Sequence, residues 1–276
     1  MQMTARVIIS KGAINLILIV IGMLFVVPLL WVITAAFSQN ASLSVQWPQP
    51  FSMASFKQVL TASNGLAFLN SFYLSIGTAV ATVFIATVAA YPLSRYQLRF
   101  KKPFLYTILF ATGLPITAMM VPVYEVYNAL NLVDSLFWTG TFLVASSLPF
   151  AIWMMKNFMD SVPTELEEAA WVDGASVLGS LVRVILPLMR PGLAAVGIFI
   201  FVGAWGNFFV PFVLIQSSNL DPAAVTIYQF FSEYGMVAYG QLAAYSILYT
   251  IPVVVLYIFS SRWLGGAFNF GGAVKG

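Results

Sequence analysis

The chain has 276 residues, 61% of them hydrophobic and only 8% charged, with a mean hydropathy of +0.92. A soluble domain carries about 25% charge; 12 basic and 9 acidic side chains cannot cover a globular surface, so the bilayer is the fitting solvent. With no His and no Cys, zinc or haem sites on those ligands, disulfides, Cys nucleophiles and His-based triads are excluded.

Charge-free intervals run over Gly12–Phe56, Gln58–Ser94, Pro103–Tyr124, Ser135–Met155, Pro191–Leu220 and Tyr234–Ser261. Each holds a transmembrane helix of about 20 residues. Trimming at Pro and Gly predicts spans over 14–37, 68–93, 104–124, 137–155, 192–215 and 242–261. Their apolar residues surround the segment rather than forming one stripe, as lipid requires. The expected fold is an all-α polytopic membrane protein with six transmembrane helices. Its parts are an N-terminal span and loop (1–67), a core (68–262) with a long loop at 156–190, and a Gly-rich tail (263–276).

Orientation follows from Lys and Arg. With both termini cytoplasmic, Arg6, Lys11, Arg95, Arg99, Lys101, Lys102, Lys156, Arg183, Arg190, Arg262 and Lys275 lie inside and Lys57 lies outside. The basic balance is thus a topology signal, and no nucleic-acid partner is expected. Arg6 and Lys11 before the first span and Ala35-Ala36 after it imitate a secretory signal, but the apolar stretch exceeds the roughly 7–15 residues of a signal core, so a retained span is expected. Trp47-Pro48 and Pro50 make the following loop, 38–67, an irregular extracellular cap.

Apart from tyrosine, the predicted spans contain no ionisable residue. A charge at mid-bilayer costs about 2.5–3.5 kcal/mol, so proton-coupled carriers keep one for function. A secondary carrier or channel is disfavoured but open, since sodium can be held by backbone carbonyls. A membrane enzyme would show a cluster of catalytic polar groups at depth, and none is visible. Neither Ser nor Thr follows any Lys, so the chain has no phosphate-binding loop of the GK[ST] type. Nucleotide, if used, must be bound by another subunit.

Between the fourth and fifth spans lie Asp160, Glu165, Glu167, Glu168 and Asp173, five of the nine acidic residues. A loop of about 35 residues has structure or a task. Thr164-Glu165-Leu166-Glu167 fits a capping box, with Glu167 returning to the cap amide, and Gly174 is placed to end the helix in a left-handed conformation. A second helix follows, with Leu178, Leu181, Val182 and Ile185 on one face, and Pro187 ends it or bends it into the fifth span. Ala169 and Ala170 offer a small-residue surface for a close partner.

Glu168-Ala169-Ala170, then Gly174, then Leu186-Pro187 resemble the EAA loop of binding-protein-dependent ABC importer permeases, with Val184 where the family has Ile. The resemblance is closest to the type I carbohydrate group, the maltose-permease-like subunit in particular. Asn70-Ser71, Ala90-Tyr91-Pro92-Leu93-Ser94-Arg95, Pro149-Phe150, Lys156-Asn157-Phe158, Pro163 and the ending Gly272–Gly276 are similar to that group. Pro92 departs from it, as does Trp205-Gly206-Asn207-Phe208, which lacks the family's carboxylate.

The resemblance implies a permease subunit for a sugar or polyol, working by alternating access in a bacterial or archaeal plasma (inner) membrane; uptake of another solute class is the nearest alternative. It implies a second permease subunit, two ATPase subunits that hold ATP and Mg, and an extracellular or periplasmic solute-binding protein. The chain itself would carry no cofactor and catalyse no reaction. Glu165, Glu168, Ala169, Ala170, Asp173, Gly174, Leu186 and Pro187 become candidates for ATPase coupling. Trp205, Asn207, Tyr91 and Ser146 are candidates for the solute pathway, although an amide such as Asn207 equally serves interhelical bonding. Asp221 and Glu233, in the outer loop 217–241, are candidates for binding-protein contact, and the tail is expected to reach the ATPase pair.

Overall fold

The computed structural model describes the backbone of residues 2–48, 50–231 and 237–264, and side chains over 14–48, 50–231 and 237–260. The described residues form helices joined by short irregular segments and one isolated bridge, Ser38 to Phe51. Two compact units are delimited: Met1–Asn64 with Ile227–Ile251, and Gly65–Thr226 with Pro252–Gly276.

In the first unit, α1 (Gln2–Ala36) is followed by α2 (Ala54–Val59). From Ile14 to Leu30 the large apolar side chains of α1 are exposed on every side, as a helix meant for lipid or a partner would present them. The loop after it is tied down by aromatic contacts, Phe37 stacking on Phe51 at 5.1 Å, and by the Trp31 indole donating to Ser42 O at 2.9 Å.

The second unit is built on α3 (Ala62–Arg95), which crosses it as one 34-residue helix despite Pro92. Then come α4 (Lys101–Ala111), α5 (Ile116–Ala129), α6 (Leu136–Asp160), α7 (Thr164–Val172), α8 (Val177–Ser180), a π-turn at Leu181–Ile185 and α9 (Leu186–Leu188). α10 (Arg190–Trp205), α11 (Phe209–Leu214) and the single turn α12 (Ala223–Thr226) follow, and α13 (Tyr239–Leu264) is shared between the units. Its core includes Leu74, Met120, Phe142, Leu143, Val210 and Leu214.

Among the described residues four helices are long and apolar enough to span a bilayer, and up to six spans result if each of two bent pairs counts as one. The expected third span, 104–124, is broken: α4 and α5 meet at 94°. Gly113 and Pro115 lie at the break, where the proline ring keeps Leu114 out of helical geometry. The expected fifth span, 192–215, is interrupted as well. α10 stops at Trp205 after 16 residues, about 24 Å at the usual rise, and α11 resumes three residues later. The segment Val177–Leu188 meets α10 at 77°, with Met189 at the break and Pro191 following.

Close packing fixes α10 against α6 at Gly192, where a Cβ would stand 2.6 Å from Cγ and 2.9 Å from Cβ of Phe158. Gly192→Ala is expected to destabilise the protein by about 1–3 kcal/mol. Gly197→Ala, whose Cβ would meet Val83 at an ordinary 3.7 Å, leaves it unchanged or slightly firmer. Thermal unfolding in detergent compares the two.

Candidate functional site: the loop helices and their anchorage

The 156–190 region folds as two short helices with defined ends. Gly174 has φ +88°, and Gly174 and Ala175 N–H donate to Trp171 and Ala170 O at 3.0 and 2.9 Å. These are the two hydrogen bonds of a Schellman motif, so the predicted left-handed stop is present. Ser176 then starts the next helix, its hydroxyl accepting from Gly179 N–H at 3.1 Å.

The expected capping box is absent. Thr164 is the first residue of α7, Pro163 precedes it in extended geometry, and no side chain caps the helix. Glu167 turns the other way and is 2% exposed. The Tyr91 hydroxyl donates to its Oε1, and the Ser180 hydroxyl, 3.2 Å from that oxygen and 2.9 Å from Val177 O, shares its one proton between the two. Its Oε2 lies 2.8 Å from Arg95 Nε, a close ionic contact rather than an aligned hydrogen bond. Arg95 also donates through Nη2 to Val162 O at 3.1 Å, and Trp171 Nε1 donates to Ser180 Oγ at 3.1 Å. Beside this cluster Ser94 donates to Asp160 at 2.6 Å, and Lys156 pairs with Asp160. A buried carboxylate is tolerated when a cation and hydrogen bonds meet it, and the C-terminal end of α3 supplies them. In the sequence these signals lie apart, Tyr91 and Arg95 on one segment and Glu167 on another, with nothing to pair them.

At about 3.6 residues per turn, Glu165, Glu168, Ala169 and Val172 fall on the face of α7 away from Glu167, and all four are exposed, as are Asp173 and Gly174. Ala170 is half-buried, and so are Leu186 and Pro187 at the end of the second segment. The predicted apolar face there is split. Leu181 and Ile185 are buried, while Leu178 and Val182 are exposed. The π-turn over Leu181–Ile185 shifts the register, just ahead of Pro187, which has no N–H to continue an α-helical ladder.

The pathway candidates are not gathered in one place. Trp205 is buried among Phe72, Phe201 and Phe68. Tyr91 belongs to the Glu167 cluster. Asn207, half-buried, accepts from Val210 N–H at 3.0 Å and so caps the restart of the chain as α11. Ser146 is exposed and bonds back to Leu143 O at 3.0 Å.

At the opposite end of α6, Asp134 (φ +59°) organises the segment that follows α11. Its carboxylate accepts from the Ser217 hydroxyl at 2.5 Å and from the Ser217 and Gln216 amides at 2.8 and 3.0 Å. Led by the Ser217 hydroxyl, these bonds hold the carboxyl below its ordinary range. Asp221 is shifted upward by burial and by the Asp134 charge. The Asn70 amide donates to Asn219 O and Asp221 O, and Ser71 accepts from Ala223 N–H at 2.8 Å. Glu233 and the tail 265–276 lie outside the described residues.

Helical spans interrupted in this way, with a loop of two short helices held to them, are an architecture that suits a transport permease. The model of a family described as "Binding-protein-dependent transport system inner membrane component" matches residues 82–266, and the chain belongs to that family. A sulfoquinovosyl glycerol transport system permease protein of Agrobacterium fabrum is 31% identical over 250 residues, 87% of this chain and 86% of that protein. An arabinooligosaccharides transport system permease protein of Halalkalibacterium halodurans is 29% identical over 265 residues, 93% of each chain. A chain of a bacterial ABC transporter that imports the acidic polysaccharide alginate has the same fold, with a TM-score of 0.78 at 22% identity over 91% of this chain and 95% of that one. The protein is therefore an inner-membrane permease subunit of the ABC importer class.

Two outcomes check this geometry. Gly174→Ala is expected to cost about 1–2 kcal/mol, because the left-handed backbone strains any residue with a Cβ. The Asp134 contacts contribute stability that is complete above the ordinary carboxylate pKa of about 3.9, and that is lost as pH falls through the lowered folded value. Protection of the Gln216 and Ser217 amides from exchange, measured against their intrinsic rates, should therefore be high at neutral pH, fall in strong acid, and be lower at neutral pH in Asp134→Asn.

Proposed function

We propose that this permease carries a sugar or polyol and forms half of a translocation pathway with a second permease subunit. The solute class rests on relatives named for sulfoquinovosyl glycerol and for arabinooligosaccharides. Two ATPase subunits hold ATP and Mg and dock on the loop helices, and a solute-binding protein delivers cargo at the Asp134–Asp221 end, with the loop end and both termini in the cytoplasm.

One observation carries the coupling role: α7 turns Glu165, Glu168 and Ala169 outward while its other face is fixed by a buried ion pair. A loop helix with no partner has no need of such anchorage. Glu168 offers a carboxylate to a cation of the ATPase, Ala169 and Ala170 let its surface approach closely, Asp173 and Gly174 close the docking helix, and Leu186 and Pro187 set the angle into α10. Nucleotide then shifts the alternating-access equilibrium through its preference between the two states. Asn207 and Ser146 remain the pathway contacts proposed here; Tyr91 and Trp205, also candidates, are committed to internal contacts.

Mild detergent extraction of the tagged chain is expected to recover a second permease and a P-loop ATPase in stoichiometric amounts; a single-chain oligomer would favour a secondary carrier instead. Glu168→Lys should insert normally yet lose ATP-driven uptake by about tenfold or more, through uncoupling or loss of ATPase docking. Uptake at the wild-type rate by that variant would remove the coupling role.

A further inference from the structure

Glu168 faces outward, and the coupling reading leaves Glu167 without a task. Two other helices meet it: Tyr91 and Arg95 come from α3 and Ser180 from α8, while Val162, in the turn after α6, accepts from Arg95. Both members of the ion pair are withdrawn from solvent, with side chains 5% and 2% exposed.

Apolar contact alone would hold a short helix against the bundle without fixing its rotation, because it is non-directional. A carboxylate with both oxygens engaged, one in ionic contact with a guanidinium and one accepting the directional Tyr91 hydrogen bond with Ser180 beside it, fixes position and rotation together. α3 is continuous from Ala62 up to the attachment point at its last turn, so a displacement of α7 has a single helix to act on. Resting on the coupling role proposed above, we infer that Arg95 and Glu167 are positioning residues for transport: they make α7 and the C-terminal end of α3 one moving body, and transmit to the bundle the displacement that the ATPases impose.

The assembled transporter in proteoliposomes tests this directly. The chain contains no cysteine, so Val88→Cys on α3 and Leu166→Cys on α7, at positions 54% and 45% exposed and away from Glu168, place two unique spin labels in it. The distance between them should stay constant between the ATP-bound and nucleotide-free states. Glu167→Gln, which keeps the shape and removes the charge, should broaden that distance and lower solute moved per ATP hydrolysed by about tenfold. The pair Arg95→Met with Glu167→Leu removes both buried charges together and should assemble at wild-type yield, yet remain uncoupled.

A label distance that changes with nucleotide overturns the inference while leaving ATPase docking intact. So does wild-type transport per ATP in the apolar pair, which would make the ion pair a folding staple. If Glu167→Gln fails to assemble, the labelled background still decides. Absence of ATPase subunits from the purified assembly overturns the coupling reading and this inference together.

Discussion

A carboxylate withdrawn from water costs several kcal/mol unless a cation and hydrogen bonds replace its hydration. Glu167 is the place in this permease where that constraint is met, and the surrounding geometry follows from it. Arg95 has to sit at the last turn of α3, Tyr91 one turn earlier on the same side, and Ser180 at the end of α8. With Glu167 turned inward, the opposite face of α7 is left to solvent, and that face carries the residues proposed to meet the ATPases. The Schellman bonds at Gly174 and the Ser176 cap then set where the chain turns back toward the bundle.

Interrupted helices give the second unit its shape. In a bilayer each freed backbone group needs an internal partner, and the breaks are built accordingly. Asn207 accepts the Val210 amide where α11 restarts, and Thr112 bonds to Leu109 O at the bend between α4 and α5. Pro115 and Pro187 mark such places because neither can extend a helical ladder through its own nitrogen. Pro92 shows the limit of that rule: α3 continues past it, held by the contacts of Arg95 and Ser94 just beyond.

Polar anchorage occurs at both ends of α6. At one end Asp160 receives Ser94 and Lys156; at the other Asp134 gathers Gln216 and Ser217. Asn70 and Ser71 hold the segment around Asp221 by side-chain hydrogen bonds to its backbone. Each cluster connects residues far apart in the chain, which is how a mostly apolar bundle obtains specific geometry from few polar groups.

The amino-acid sequence by itself determined the solvent, the helical class and the place of the loop, because scarce charge, long apolar intervals and the Gly174 stop act locally. It also carried the Glu-Ala-Ala spacing that points to the family. Tertiary structure decided which carboxylate of α7 is buried: Glu167 reads as a helix-capping residue until Tyr91, 76 residues away, and Arg95 are brought to it. It decided as well that 104–124 bends and that Trp205 packs inward. Hydropathy reports the preference of each segment for lipid, whereas a bend or a buried charge depends on partners that folding alone brings together.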